Sequence, residues 1–191
     1  LAFTHGTKRT YHWDCRRFFN LFGSPNTCGV NNICMCPSYA TECATYGGMA
    51  WSEVMDAQCI VVWGNNASKS SPIGLYAQLV RAKKRGAKLI VIDPRRTKEA
   101  EMADLWLQIR PGTDIALMLG WIRLIIEEDL YDHDFVADWT LGFEDLKEAA
   151  ASYTLEKVSQ ITSIPPELVI QSVRMYATNK PAVIPFGYGL D

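Results

Sequence analysis

Two uninterrupted apolar runs, with a polar, helix-spaced segment between them, limit this chain more than any other feature. Residues 58–63, QCIVVW, and residues 88–92, KLIVI, are short and rich in β-branched side chains, so both read as strands buried on both faces. Between them, Ser71 can cap a helix and Pro72 suits its first position. Ile73, Tyr76, Ala77 and Val80 follow at helical spacing until Gly86 closes it. Strand, helix and strand within about 35 residues make a βαβ unit, whose strands lie parallel with a right-handed crossover.

The same alternation continues. A third strand is expected at 105–109, a helix at 115–127, and two or three small helices over 132–163. Phe135, Trp139, Phe143 and Leu146 are expected to pack among these small helices. Pro165-Pro166 opens another helix to about residue 177, and 181–186 supplies a further strand. The predicted fold class is α/β, a doubly wound, mainly parallel sheet with flanking helices. A chain of 191 residues with 48% hydrophobic and 21% charged residues can bury a core of that kind. Its formal charge of −2 has no long run of one sign, so nothing recommends a nucleic acid or a membrane surface as partner. The longest apolar run, 115–126, is interrupted by Arg123 and suits a buried helix, so no direct membrane span is expected. The chain starts without Met on what reads as the end of a strand and stops after a Gly-rich turn. Both ends read as cuts through a longer protein, which leaves localisation open.

Ligands of an open parallel sheet bind beyond the carboxyl ends of its strands. Four loops are expected on that edge: 64–70, 93–96, 110–114 and 187–191. Gly64 lets backbone approach a ligand, and Asn66, Ser68 and Ser70 can donate to phosphate. The N-terminus of the following helix would add its own N–H groups and dipole. Asp93 can accept hydrogen bonds from a ribose, while Arg95 and Arg96 offer planar forks for phosphate or stacking. Asp114, after Gly112, suits a base with two adjacent N–H donors, which is guanine's N1/N2 edge. Gly187 and Gly189 form a last Gly-rich loop. Each residue has a plain alternative: a helix-terminal charge for Asp114, a solvated surface for the arginines, a turn residue for Asn66. Their convergence on one edge favours the binding reading. The absence of a GxGxxG fingerprint argues against a simple NAD enzyme.

Six cysteines stand at 15, 28, 34, 36, 43 and 59. The α/β alternation does not suit a disulfide framework, and Cys59 opens an apolar strand as a packing residue. A zinc or iron–sulfur site from Cys28, Cys34, Cys36 and Cys43 would have the spacing C-x5-C-x-C-x6-C, which fits no common pattern. His5, His12 and His133 are too scattered to add to it.

The segments WGNNASKSSP, GAKLIVIDPRRTKEAEMADLWLQIRPGTD and EEDLYDHDFVADWTLGFEDL, in this order, resemble the molybdopterin oxidoreductases of the dimethyl sulfoxide reductase type. That resemblance implies the central fragment of a larger multidomain catalytic subunit. Residues 1–52 would belong to the domain with the metal-ligand loop and 53–180 to a Rossmann-like dinucleotide-binding domain. Residues 181–191 would begin a return strand and a Gly-rich cofactor loop. It further implies bis-molybdopterin guanine dinucleotide carrying molybdenum or tungsten, a 4Fe–4S cluster in an N-terminal segment outside this chain, and an iron–sulfur electron-transfer subunit as partner. In this family one side chain ligates the metal from a loop after a GSPN-like segment. FGSPNTCGVNNIC leads to Cys34, with Thr45-Tyr46-Gly47 following, so the resemblance makes Cys34 the metal ligand and Cys36 the alternative. A soft thiolate beside dithiolene sulfurs suits either metal. Cys28 and Cys43 are expected to pack.

Formate dehydrogenases of this family carry a histidine next to the ligand. Met35 stands there instead and cannot hold a proton. The arrangement resembles the polysulfide, thiosulfate and arsenate reductase branch, although Val30, Asn31 and Asn32 replace the histidine expected ahead of that branch's ligand. The expectation is two-electron redox chemistry on a small-molecule substrate. Two alternatives stand beside it: non-redox hydration of the acetylene-hydratase kind, and an inactive nucleotide-binding fragment. Met35, Tyr39, Tyr46 and Trp51 either wall an apolar pocket or pack in a core.

Overall fold

The computed structural model describes residues 2–5, 12–29 and 36–185, and the chain divides into two compact units, residues 1–50 and 51–190. Cys34 and Met35 of the ligand loop, and Gly187 and Gly189 of the last loop, lie outside the described residues.

The first unit contains strand β1 (Phe3–His5), helix α1 (His12–Phe22), strand β2 (Thr27–Gly29) and helix α2 (Cys36–Tyr46). The strands pair in parallel, Phe3 opposite Thr27 and His5 opposite Gly29. Phe19 of α1 is buried and stacks on Phe3 at 4.8 Å between ring centroids. Gly23 takes φ +78° after α1, and the next N–H, of Ser24, returns to the Phe19 carbonyl at 3.1 Å. Tyr39, Tyr46 and Trp51 are exposed, so the core reading of these aromatics does not hold among the described residues. Cys28 is exposed and Cys43 half-buried; the expected packing of Cys28 fails because β2 is a short strand with both Thr27 and Cys28 facing solvent.

The second unit is the doubly wound domain. Its elements run β3 (Cys59–Trp63), α3 (Ala67–Ser70), α4 (Leu75–Lys84), β4 (Lys88–Ile92), α5 (Lys98–Met102) and β5 (Leu105–Leu107). Then follow α6 (Asp114–Glu127), α7 (His133–Trp139), α8 (Phe143–Ala151), α9 (Leu155–Thr162), α10 (Pro166–Thr178) and β6 (Ala182–Val183). The sheet order is β5-β4-β3-β6, all parallel, with Cys59 opposite Lys88 and Trp63 opposite Ile92. Alternation along the strands divides two cores. Val61, Trp63, Ile90 and Ile92 face Leu117, Trp121 and Leu124 of α6, Val158 of α9 and Val169 and Val173 of α10. Ile60, Val62, Leu89 and Val91 face Leu79 and Ala82 of α4 and Ala100 of α5. Burial on both faces explains why both central strands read as continuous apolar runs. At roughly 1.5–3 kcal/mol per fully buried large aliphatic side chain, these two layers dominate what holds the unit together.

Several boundaries differ from those expected. The first crossover helix starts at Leu75, not after Ser71. Residues 67–70 form the separate short helix α3, and Ile73 precedes α4 in an exposed turn. Gly74 is the N-cap and has no side chain to cap with, but the Ser71 Oγ accepts the N–H of Leu75, the first residue of α4, at 3.1 Å. Gly86 ends α4 at φ +98° with the paired bonds Gly86 N–H to Lys83 and Ala87 N–H to Ala82. Strands β5 and β6 are shorter than 105–109 and 181–186. Three small helices occupy 132–163, but Phe135, Trp139 and Leu146 are exposed rather than packed among them. The reason is visible in α7, none of whose residues is buried. Phe143 alone of the four finds a described ring partner, Tyr131 at 5.0 Å.

Candidate functional site

The sheet order reverses direction at β3: the chain moves from β3 to β4 to β5 on one side, then returns to add β6 on the other. Such a switch point opens a crevice beyond the strand ends, because the two connections leave in opposite directions. The loops after β3, β4, β5 and β6 share that edge. Asn65 Nδ2 donates to the Pro185 carbonyl at 3.5 Å, linking the two sides of the switch.

Gly64 leaves β3 at φ +57°, a backbone conformation that suits glycine, while its N–H still bonds the Ile92 carbonyl at 3.0 Å. The chain then turns into α3 with Asn66 as the preceding residue. The Asn66 side chain makes no cap bond; its Oδ1 instead accepts from the Ser68 hydroxyl at 2.9 Å. The Ser70 hydroxyl, on an exposed residue, is bonded to the Asn66 carbonyl at 3.1 Å. A helix of four residues has little dipole, so the anticipated contribution from a helix N-terminus at this loop is replaced by its side chains and backbone.

Asp93 is buried at the end of β4, and its Oδ1 accepts the N–H of Arg95 at 2.8 Å, with the Arg95 guanidinium at 3.8 Å. The first carboxyl oxygen is thus committed to its own turn, and the second takes no hydrogen bond among the described residues. Trp106 of β5 fixes the same turn through Nε1 to the Asp93 carbonyl at 3.0 Å. Arg95 and Arg96 are exposed on this loop. Beyond β5, Gly112 takes φ +78° and carries the chain into α6, whose first residue is Asp114. Asp114 Oδ1 accepts from Trp63 Nε1 at 2.8 Å. Trp63 is itself held by Trp121, whose ring lies 5.6 Å away and is in turn 5.6 Å from Tyr176. A cleft of about 570 Å³ runs along the outer part of the edge, lined by Pro94, Gln108, Arg110, Pro111, Ser163 and Leu168 among others.

Gly64, Asp93, Gly112 and Asp114 are therefore brought to one edge, as are Asn66, Ser68, Ser70, Arg95 and Arg96. Trp63 and Glu99 belong to the same site and were not singled out from the sequence. Trp63 reads as the last residue of an apolar strand, and Glu99 as a solvated helix charge. Glu99 is instead fully buried, its Oε1 accepting the backbone N–H of Ser68. No three His, Cys, Asp or Glu side chains converge as a metal site among the described residues. The residues fit a phosphate- and base-bearing group: the half-buried Asn66 amide, the Ser68 and Ser70 hydroxyls and two exposed guanidinium groups lie beside two carboxyls, Asp93 after β4 and Asp114 at the start of α6, whose second oxygens take no hydrogen bond among the described residues.

The comparisons agree with this architecture. A sequence model described as molybdopterin oxidoreductase matches residues 11–186. Acetylene hydratase of Syntrophotalea acetylenica is 44% identical over 176 residues, covering 92% of this chain and 24% of that protein. Formate dehydrogenase H of Escherichia coli is 37% identical, over 85% of this chain and 24% of that one. A thiosulfate reductase molybdopterin-containing subunit of Salmonella typhimurium is 31% identical, over 85% and 22%. The solved acetylene hydratase from Pelobacter acetylenicus superposes with a TM-score of 0.81 at 43% identity, covering 92% of this chain and 24% of that structure. The chain belongs to the molybdopterin oxidoreductase family. It spans about a quarter of the length of these relatives, and the family implies a molybdopterin cofactor with molybdenum or tungsten. No helix among the described residues is long and apolar enough to cross a membrane.

Proposed function

We propose that this chain is the central part of a molybdenum- or tungsten-dependent catalytic subunit and that its second unit holds the nucleotide half of one molybdopterin guanine dinucleotide. The observation that carries this reading is that Asp93 after β4 and Asp114 at the start of α6 lie on the same sheet edge as the Gly64 loop, at a topological switch point. Asp114 accepts guanine's N1–H and N2–H, Asp93 accepts from the ribose, and Asn66, Ser68, Ser70, Arg95 and Arg96 serve the phosphates. Gly112 and the Gly187–Gly189 loop let backbone come close to the cofactor. The domain limits expected from sequence, 1–52, 53–180 and 181–191, go with this assignment, as does a second dinucleotide shared with parts of the protein outside this chain.

When bound, the metal supplies either two-electron transfer or activation of water. Cys34 is proposed as the protein thiolate to it, a soft donor matched to a soft sulfur environment. Met35 beside it holds no proton, so it contributes apolar surface rather than acid–base chemistry. Two-electron redox of a small substrate is the first reading, with a 4Fe–4S cluster and an iron–sulfur partner subunit completing the electron path. Hydration without net electron transfer is the second, supported by the 44% identity to acetylene hydratase and by Met35.

The full-length protein tests these proposals. Acid hydrolysis should release guanine together with molybdenum or tungsten; zinc alone would overturn the assignment. Acetaldehyde formed from acetylene with no electron acceptor consumed selects the hydratase, and dye-linked turnover of thiosulfate or polysulfide selects the redox enzyme. Cys34→Ala should abolish turnover while the pterins stay bound, whereas Cys36→Ala should keep most activity. An exchange of these two results moves the ligand to Cys36.

A further inference from the structure

We infer that Glu99 is the positioning residue that sets the shape of the phosphate loop after β3. The inference rests on the dinucleotide reading above but concerns a residue that the reading does not use. Glu99 has no exposed surface, yet it carries a carboxyl group and pairs with no Lys, Arg or His among the described residues. A buried carboxyl group without a cation is costly and persists only where hydrogen bonds compensate it.

Among the described residues, Ser68 is what compensates it. Glu99 Oε1 accepts the backbone N–H of Ser68, and Oε2 lies 3.5 Å from the Ser68 hydroxyl. Ser68 is the second residue of α3, the position whose N–H a helix ordinarily satisfies with the side chain of its own N-cap. Here the N-cap residue, Asn66, gives no cap bond, because its Oδ1 is engaged by the Ser68 hydroxyl at 2.9 Å. The cap is supplied from α5, 31 positions further along the chain. Four residues of helix have almost no stability of their own. The conformation that presents Asn66 and Ser70 at the strand edge therefore depends on Glu99. Through α5 and its Thr97 cap, which accepts the Ala100 N–H, the same residue ties the loop after β3 to the loop after β4, where Asp93 sits.

Two substitutions in the full-length protein separate reach from acidity. Glu99→Gln keeps an acceptor oxygen at the same distance and replaces the carboxyl by an amide. Glu99→Asp keeps the carboxyl but withdraws it by one methylene from the Ser68 N–H. Guanine retained per polypeptide after gel filtration is measured for both variants and wild type, with thermal melting alongside. The expected result is guanine at the wild-type level in Glu99→Gln and a loss of about tenfold in Glu99→Asp, with similar melting temperatures. The inference is overturned if Glu99→Asp holds as much guanine as wild type. It is equally overturned if both variants lose guanine and melt lower together, since Glu99 would then serve the fold alone. A wild-type protein that yields metal and pterin without guanine overturns the dinucleotide reading itself, and this inference with it.

Discussion

Asp114 shows how one side chain acquires direction. Its Oδ1 is held by the indole N–H of Trp63, and Trp63 in turn is fixed within the run of Trp121 and Tyr176. Oδ1 keeps a second lone pair beside the indole N–H, so a carboxyl turned in this way can offer both oxygens to the paired N–H donors of the proposed guanine. Hydrogen bonds to a charged acceptor contribute roughly 1.5–3 kcal/mol, so Asp114→Ala should lower guanine per metal by about tenfold or more. Its effect on melting temperature should be small by comparison. Trp63→Phe removes the indole N–H together with part of the packed ring, so it should also lower the melting temperature. It should lower guanine content less than Asp114→Ala, and the double variant should be no worse than Asp114→Ala alone. An unchanged guanine content with a lower melting temperature would leave Asp114 as a helix-terminus charge.

Elements in this molecule are set by close approach as much as by propensity. Gly120 lies in the middle of α6, where a glycine ordinarily weakens a helix. A Cβ placed there would lie 2.6 Å from Cγ2 and 3.3 Å from Cγ1 of Val158, a fully buried residue of α9. Valine is stiff at χ1 in a helix, so it cannot swing aside, and α9 would have to move. Gly120→Ala should therefore destabilise the α6–α9 contact by about 1–3 kcal/mol, despite alanine's better helix propensity. Hydrogen–deuterium exchange of the α6 and α9 amides should speed up in this variant. Val158→Ala added to it should restore part of the protection, the sign of coupling expected for residues in contact. If Gly120→Ala slows exchange instead, the space between the helices is larger than the distances indicate. Helix α7 illustrates the opposite case, since none of its residues is buried and Phe135 and Trp139 stay exposed despite their spacing of four.

In the sheet unit, Asp104 and Cys59 are shifted in opposite directions. Burial of Asp104 opposes its ionisation. The hydrogen bonds from Lys83 and from the Leu89 N–H at 2.7 Å, with the Lys83 and Lys88 charges, outweigh that and hold the carboxyl below its ordinary value of 3.8. A depressed folded pKa stabilises the protein above the unfolded value, and this contribution is lost as pH falls through the folded one. Burial, with the Asp104 charge as a lesser cause, pushes the Cys59 thiol up from 9.0 to about 11. A raised folded pKa has the reverse consequence: the contribution is complete below pH 9.0 and is lost as pH climbs to about 11. The sheet should thus be protected from exchange across neutral pH and lose protection below about pH 4 and above about pH 9. Asp104→Asn should flatten the acid limb and Cys59→Ala the alkaline one. At pH 8 Cys59 should also resist alkylation while the protein is folded. Ready modification of Cys59 in the native protein would contradict its burial.

The sequence by itself determined the parallel sheet. Residues 59–63 and 89–92 are apolar on both faces, and Gly86 and Asp93 punctuate them, so strand, crossover and strand could be read from local pattern. The placing of Gly64, Asp93 and Asp114 in the strand-to-helix connections followed from that alternation, because a parallel sheet sends all its βα loops to one edge. Tertiary structure alone decided the partners. The bonds of Trp63 to Asp114 and of Glu99 to Ser68 cross 51 and 31 positions, and nothing in a local window distinguishes a buried Glu99 from a solvated one. Likewise, the helix start expected at Ser71 and Pro72 is split between α3 before them, capped by Glu99 from outside, and α4 from Leu75 after them. Local apolar spacing records which residues can be buried. Which acceptor meets which donor depends on where the whole sheet brings distant segments together.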